Sequence, residues 1–415
     1  MAGGGVFMTD ERTVIAVIFG GRSVEHDVSI LTGLQFLDAL DQSRYRGLPV
    51  YVDLDGQWWT GEALRRRERY PLDAGTREAL QPVTLPVGVP VRRRPVLLAP
   101  SRGLLGRRIT EIPFDLMVPA IHGSHGEDGS LQGLLSFAGV PYAGCRPFGA
   151  AATMDKHVTK GILRDRGVAV LPHLLVERPG AGRFLEPDTL ERMLAEQLGA
   201  DPYPVIVKPR RLGSSVGVAP AADRDALMAA LLAAFRLDDA ALVEPMVGDL
   251  VEYNIAVMRR DGAVVTSAIE RPLKARDVLD FKAKYLAGGK PAGPKLDTLP
   301  GEGMVAQSRE IDPKELSAAQ ETLIREAAVE AFETFDLAGS VRVDFLADGG
   351  SGEIWLNEIN TIPGSFAFFL WQAAATPLSF TALASHLVEE GLRLSARDRA
   401  TADPRLADAQ IFRRD

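Results

Sequence analysis

Cysteine is almost absent. The 415 residues hold a single one, Cys145, so no intramolecular disulfide staples the chain and a reducing compartment suits it. Long apolar runs are missing too: stretches such as 366–371 (FAFFLW) fall far short of the ~20 residues of a membrane-spanning helix. The N-terminal MAGGGVFMTDERT has no charged region followed by an apolar one, which gives no sign of a signal peptide. These absences lead us to expect a cytoplasmic protein without a membrane partner, its translation starting at Met1 or Met8. No sign of charge is in large excess either. Lys and Arg number 47 against 55 Asp and Glu, a net charge of -8 that argues against a nucleic-acid partner. What is present is ordinary: 46% hydrophobic and 25% charged residues exclude a disordered, collagen-like or coiled-coil chain. The length implies two or three domains with cores large enough to need no metal staple.

Strand and helix periods alternate along the chain. The β-branched run 13–19 stops at Gly20-Gly21, and an amphipathic stretch follows at 28–40, the opening of an α/β layer. Another strand is expected at 48–54. The arginine- and proline-rich 56–112 reads as a surface insertion with short strands, its arginines too sparse for a nucleic-acid patch. Strand 114–121 ends in the loop HGSHGEDG (122–129), and a helix at 129–138 follows. A second unit begins near Ala150, with helices at 153–166, 187–198 and 223–235 and strands at 168–176 and 204–208. A third starts near 241, with strand 251–258, a Gly/Pro/Lys-rich loop at 283–304, helix 313–335, hairpin 341–360 and helix 378–394. The segment 395–415 reads as a charged surface tail. There is no internal repeat at a fixed period.

The sharpest chemical signal is the pair VRVDF (341–345) and IWLNEIN (354–360). Alternation puts Val341, Val343 and Phe345 on one face, with Arg342 and Asp344 on the other. Glu358 and Asn360 share a face of the returning strand. A turn near Gly350 sets Asp344 opposite about residue 356, with Glu358 on the diagonal at ~7–8 Å. Two carboxylates and an amide oxygen make a hard site suited to Mg²⁺ held jointly with phosphate oxygens. A solvated polar face is the plainer reading, although apolar residues and Pro363-Gly364 bracket these positions.

The segment PVIVKPRRLGSSVGV (204–218) is a strand ending in Lys208, then a loop of small residues able to bring backbone N–H groups close to a polyphosphate. An ordinary hairpin turn with a surface lysine is the alternative; it is not a Walker A sequence. Gly213–Gly217 also matches the G-x-S-x-G of serine hydrolases. That reading fails because no helix is expected after Ser215 and the only later histidine, His386, lies in an amphipathic helix. The HGSHGEDG loop resembles a zinc cluster only superficially, since a second ligand set at defined spacing is missing. A loop at a strand end, turning polar groups into a crevice, accounts for it better, and Glu25 after the first strand faces the same crevice. A charge near a helix N-terminus is the plainer reading of Glu25.

Together these segments resemble the D-alanine–D-alanine ligase family of ATP-grasp enzymes. The motifs run in order over about 13–390: GGRSVEHDVS (20–29), HGSHGEDGSLQG (122–133), PYAGC (141–145), MDKHVTK (154–160), VIVKPRRLGSSVGV (205–218), VEYNIAV (251–257), KAKYL (282–286), VRVDF (341–345) and NEINTIPG (357–364). The resemblance implies an α/β and α+β multidomain protein, an ATP-grasp fold behind an N-terminal Rossmann-like domain. Its units would be 1–148 with 56–112 as insertion, a central lobe 149–240, a C-terminal lobe 241–395 with the metal site, and the tail 396–415.

It also implies roles. ATP lies between the second and third units, with Lys156 and Lys208 on its phosphates and Ser215 in the covering loop. Glu244 takes the adenine amino group, the backbone near Val247 the ring, and Glu252 the ribose. Asp344, Glu358 and Asn360 bind Mg²⁺, for which Mn²⁺ is a substitute. Glu25 anchors the first amino acid's ammonium, linked through Ser214 to Tyr285 on a mobile loop; Lys284 reaches the phosphate, and His122 lines the substrate site. Arg342 and the N–H of Gly364 hold the oxyanion of an acyl transfer through an acyl phosphate. Small amino acids are the substrates, and a homodimer is the base expectation for assembly.

One position departs from the family pattern. Phe369 stands where a serine usually binds the second substrate's carboxylate, a loss worth ~1.5–3 kcal/mol unless another donor compensates. Ser365 or a lysine could supply it, leaving an ordinary D-alanine–D-alanine ligase. Otherwise the second substrate is different and the enzyme makes a specialised dipeptide or conjugate. A nucleotide-binding module without catalysis is the remaining alternative.

Overall fold

The computed structural model describes residues 11–88, 93–103, 106–181, 183, 185–273 and 309–401. Lys284 and Tyr285, the loop 283–304 that holds them, and the end of the expected tail lie outside the described residues.

The first sheet has the order β4-β3-β2-β1-β7. Its centre, β1 (Thr13–Gly20), is parallel to both β2 (Tyr45–Val52) and β7 (Leu116–Pro119). Residues 14–20 are buried without alternation, as a parallel strand covered on both faces requires. Helix α1 (His26–Ala39) lies so close to β1 that a side-chain carbon on Gly33 would come within 2.5 Å of Phe19 Cβ. Only glycine permits that approach.

The 56–112 segment is more integral than expected. Its strands β3 (Trp58–Thr60), antiparallel to β2, and β4 (Gln81–Val83), antiparallel to β3, extend the main sheet, and helix α2 (Ala74–Glu78) precedes β4. Only the hairpin of β5 (Val96–Gly103) and β6 (Gly106–Pro113) forms a sheet of its own. Helix α3 (Ser130–Phe137) follows β7.

The expected helix at 153–166 is two helices, α4 (Pro147–Met154) and α5 (Lys156–Asp165). Asp155 breaks the run and caps the second, its carboxylate accepting from the N–H of His157 and Val158 at 3.1 Å. Both helices contribute core residues, such as Ala150 and Leu163, to the cluster under the C-terminal sheet rather than under the central one.

The central sheet has the order β10-β9-β11-β8. It comprises β8 (Leu174–Glu177), β9 (Val205–Pro209), β10 (Ala219–Ala221) and β11 (Ala240–Pro245), backed by α6 (Pro187–Leu198) and α7 (Arg224–Ala234). Residues 241–245, assigned from sequence to the third unit, therefore belong to the central sheet, since β11 pairs with both β8 and β9.

The third sheet runs β14-β13-β12-β15-β16, all antiparallel. Its strands are β12 (Leu250–Arg260), β13 (Ala263–Pro272), β14 (Arg309–Ile311), β15 (Val341–Asp348) and β16 (Ile354–Asn360). Val341, Val343, Phe345, Ile255 and Val257 point to one face, where α8 (Ala318–Thr334) covers them; Ser317 and Gln320 cap that helix reciprocally. The opposite face divides in two. Ala256 and Met258 pack there against residues of α1 and of two C-terminal helices, α9 (Phe368–Gln372) and α10 (Phe380–Thr401). Asn254, Glu270 and Asp344, on the same face, carry the chemistry. Helix α10 continues through residues 395–401, so the expected tail starts as helix. Among the described residues no helix is long and apolar enough to cross a membrane.

Candidate active site

An open cleft lies where the first and third sheets and the glycine-serine loop meet. Eight sequence-expected residues line it: Glu25, His122, Lys156, Ser214, Arg342, Glu358, Asn360 and Gly364.

Two strand-end loops supply the first wall, as parallel topology provides. Helix α1 holds them in place: Ser29 Oγ accepts from the N–H of His122 at 2.9 Å, and Thr32 Oγ1 meets His122 Nε2 at 2.8 Å. The loops are tightly packed, because a side-chain carbon on Gly123 would fall 2.5 Å from Glu25 Oε2. Burial, then the positive Arg342, lower His122 to about 3, so its ring is neutral. Glu127, which sequence reasoning raised only as a zinc ligand, is a buried tie between units. It accepts from Gly123 N and Ile362 N, both at 2.9 Å. Burial and the negative Glu25 push it up to about 8, against those two donors.

The glycine-serine loop reaches this wall through Ser214, whose hydroxyl donates to Glu25 Oε1. Ser214 and Ser215 both have positive φ, 51° and 57°, a left-handed conformation that costs non-glycine residues energy. Ser215 itself is exposed and does not line the cavity.

On the third sheet, the register differs from the sequence expectation. Asp344 stands directly opposite Glu358, not diagonally, and Arg342 opposite Asn360. A bulge makes the difference: Phe345 pairs with Leu356, so Asn357 is the extra residue. Arg342 grips Asp344 with both ends of its guanidinium, at 2.6 and 2.7 Å, and Asn360 Nδ2 donates to the same carboxylate at 2.9 Å. Lys156 donates to Leu212 O at 2.5 Å and lies 3.7 Å from Glu358. Among the described residues no three His, Cys, Asp or Glu side chains cluster tightly enough to hold a metal ion alone. The oxygens of Asp344, Glu358 and Asn360 fit a hard cation that brings further oxygen ligands with it, as a nucleotide-bound Mg²⁺ does.

The residues expected on the nucleotide side form a second group. Lys208 Nζ donates to Glu244 Oε2 at 2.7 Å and to Asn357 Oδ1 at 3.0 Å. Lys160, fully buried and unassigned from sequence, sits 2.8 Å from Glu244 Oε1. Burial would raise Glu244, but the two ammoniums bring it down to about 2. Glu244 is thus sealed between two lysines, which makes it their counterion rather than the open adenine acceptor expected. Val247 lies in the link from β11 to β12, and Glu252 on the chemical face of β12 is half-buried.

The chain after Gly364 is unusual. Ser365, Phe366 and Ala367 are consecutive left-handed residues, with φ from 51° to 55°. This strained turn is held by Ser340 Oγ donating to Phe366 O at 2.7 Å and by Ser365 Oγ donating to Gln35. Phe369 follows on α9, outside the cavity lining.

Lys208 on the central sheet, Lys156 and Lys160 on α5, and an arginine-carboxylate-amide set on the C-terminal sheet, with a glycine-serine loop beside them, are the arrangement of an ATP-grasp protein. Structural comparison agrees: the D-alanine-D-alanine ligase of Coxiella burnetii superposes with a TM-score of 0.73 at 24% identity, over 94% of this chain and 97% of that one. The VanG D-Ala:D-Ser ligase of Enterococcus faecalis gives 0.67 at 26%, over 92% and 100%. Residues 14–145 match the family "D-ala D-ala ligase N-terminus" and 162–389 the family "D-ala D-ala ligase C-terminus". The chain is 35% identical to the D-alanine–D-alanine ligase of Heliobacterium modesticaldum, over 95% of this chain and 99% of that protein. With the Thermosipho africanus enzyme of the same name it shares 33%, over 88% and 90%. The chain belongs to the D-alanine–D-alanine ligase family, and it is an ATP-dependent ligase that forms a C–N bond.

Proposed function

We propose that this enzyme joins two molecules of D-alanine, at the expense of ATP, to supply D-alanyl-D-alanine for peptidoglycan. The observation that carries the reading is the single cavity lined by Glu25, Ser214, Lys156, Arg342, Glu358, Asn360 and Gly364. ATP lies between the central and C-terminal sheets, with Lys156 and Lys208 toward its phosphates, the main chain near Val247 at the base and Glu252 at the ribose. Asp344, Glu358 and Asn360 would hold Mg²⁺, which when bound would supply neutralisation of the phosphate charge.

Glu25, kept in place by Ser214, binds the ammonium of the first amino acid beside the neutral His122. That amino acid's carboxylate oxygen attacks the γ-phosphorus, and the bond to the bridging oxygen breaks to release ADP. The amine of the second amino acid then adds to the acyl carbon. Arg342 and the N–H of Gly364 donate to the oxygen that becomes negative, and phosphate leaves with the C–O bond. A cytoplasmic location and a homodimer complete the reading; ATP supply and the lone buried thiol of Cys145 are compatible with the former.

A second reading, a specialised dipeptide ligase, draws on Phe369 and on a relative named for D-serine as second substrate. Phosphate release and dipeptide mass, measured with D-alanine alone and with a panel of amino-acid pairs, separate the two. Turnover with D-alanine alone supports the first; turnover only with another pair supports the second. Asp344→Asn and Glu358→Gln should each abolish phosphate release with the circular dichroism spectrum unchanged. Full activity in both variants would remove the metal assignment, and a parent protein with no ATPase activity on any pair would leave only a nucleotide-binding module.

A further inference from the structure

Phe369 leaves the second substrate's carboxylate without the hydroxyl that the family pattern supplies. Ser365 does not compensate, because its hydroxyl is given to Gln35 and its N–H to Thr32 Oγ1 at 3.3 Å, both on α1. The ring of Phe369 has another use. Arg309, the first residue of β14, lays its guanidinium over that ring, Cζ 3.8 Å from the centroid. At the same time its Nη1 lies 3.2 Å from Glu270 Oε2, while Asn254 Nδ2 donates to Glu270 Oε1 at 2.9 Å. Cross-strand pairing puts Glu270, Asn254, Asp344 and Glu358 in one row over four strands. On β14 the row continues at Ile311; Arg309, two residues away and opposite Pro272, reaches the end of the row through its side-chain contact with Glu270. Its side chain is 20% exposed. Burial, partly offset by Glu270 and reinforced by repulsion from Arg342, lowers its pKa from the usual arginine range. An anion between the two arginines relieves that repulsion.

We propose that Arg309, seated on Phe369, binds the carboxylate of the second amino acid. The inference rests on the ligase reading above and names the residue that selects the acceptor. A guanidinium presents its donors in a planar fork that matches a carboxylate bidentately. Stacking on an aromatic face fixes the plane of those donors, which a lysine cannot reproduce. The replacement of a hydroxyl by a ring thus exchanges one weak donor for the support of a stronger anion binder.

The test uses competition for the acceptor site. D-Alaninamide has the amine but not the carboxylate, so it can act only as second substrate. The enzyme is given ATP, Mg²⁺, D-alanine and D-alaninamide, and the ratio of D-alanyl-D-alanine to its amide is read by mass spectrometry. This ratio does not depend on how much of a variant is folded. The parent should make the free dipeptide almost alone, and Arg309→Met should shift the ratio toward the amide by at least tenfold. Phe369→Leu, which keeps the arginine but removes its seat, should shift it in the same direction and decides the matter should Arg309→Met be inactive. An unchanged ratio in an active variant overturns the inference while dipeptide formation preserves the ligase reading. A parent that forms no dipeptide from D-alanine overturns both.

Discussion

Asn357 of β16 accepts from Lys208 of β9 at 3.0 Å, tying the central sheet to the C-terminal one beside Glu358 and Asp344. The bulge at Asn357 is what turns this amide toward the lysine. Asn357→Leu keeps the volume and loses the acceptor. A hydrogen bond to a charged group is worth ~1.5–3 kcal/mol, so KM for ATP should rise roughly tenfold or more. Steady-state ADP release checks this. An unchanged KM would show that the tie does not position Lys208 for nucleotide.

The buried trio Lys160–Glu244–Lys208 makes a stability prediction. Glu244→Leu leaves two ammoniums without their anion, which should cost about 3–5 kcal/mol in denaturant unfolding. Adding Lys160→Met removes one of the stranded charges and should recover part of that loss. A double variant no more stable than Glu244→Leu alone would mean that Lys160 is not held by this carboxylate.

The trio also marks the limit of what the sequence discloses. Strand β1, the small-residue loop and the 341–360 hairpin were legible because each rests on a local pattern: a β-branched run, a glycine cluster, period-two alternation. The motif order then supplied the family. Parity alone could not place Asn357, because a bulge shifts the register by one residue and no local composition marks it. Lys160 lay within a quoted motif, yet its use depends on a strand from another sheet. Likewise, Glu127 reads as one more loop acid until the N–H of Ile362, far away in sequence, is found on its carboxylate. Asp155 stopped a helix that periodicity would continue, since a cap competes with propensity only through its own side chain.

Ser214 joins the glycine-serine loop to Glu25, and the loop pays for that contact with a left-handed backbone. Ser214→Ala keeps the strain and loses the tie. Trypsin cleavage after Arg211 should accelerate several-fold, with kcat falling and the melting temperature nearly unchanged. Ser214→Gly relieves the backbone, by roughly 1 kcal/mol, without restoring the contact. Glycine should therefore match alanine in kcat. A glycine variant as active as the parent would show that backbone geometry, not the hydroxyl, matters here.

Glu127 and His122 shape the pH dependence of stability in opposite directions. Glu127 is raised from its ordinary value near 4.5 to about 8, so the folded state binds more protons than the unfolded one between those values. Its contribution is complete below 4.5 and is lost as pH rises toward 8. His122 is lowered from near 6.5 to about 3, so its contribution is present above 6.5 and is lost as pH falls toward 3. From about 4.5 to 6.5 the two slopes oppose one another; above 6.5 only the loss from Glu127 remains. Glu127→Gln removes the titration and keeps an oxygen for one of the two backbone donors, so the loss of the other acceptor lowers stability by the same amount at every pH. Urea unfolding at pH 5, 6.5 and 8 should show the variant gaining on the parent at each step, at no more than ~1.4 kcal/mol per pH unit. A constant difference between the two proteins over that range would mean that Glu127 is already ionised in the folded enzyme at pH 5.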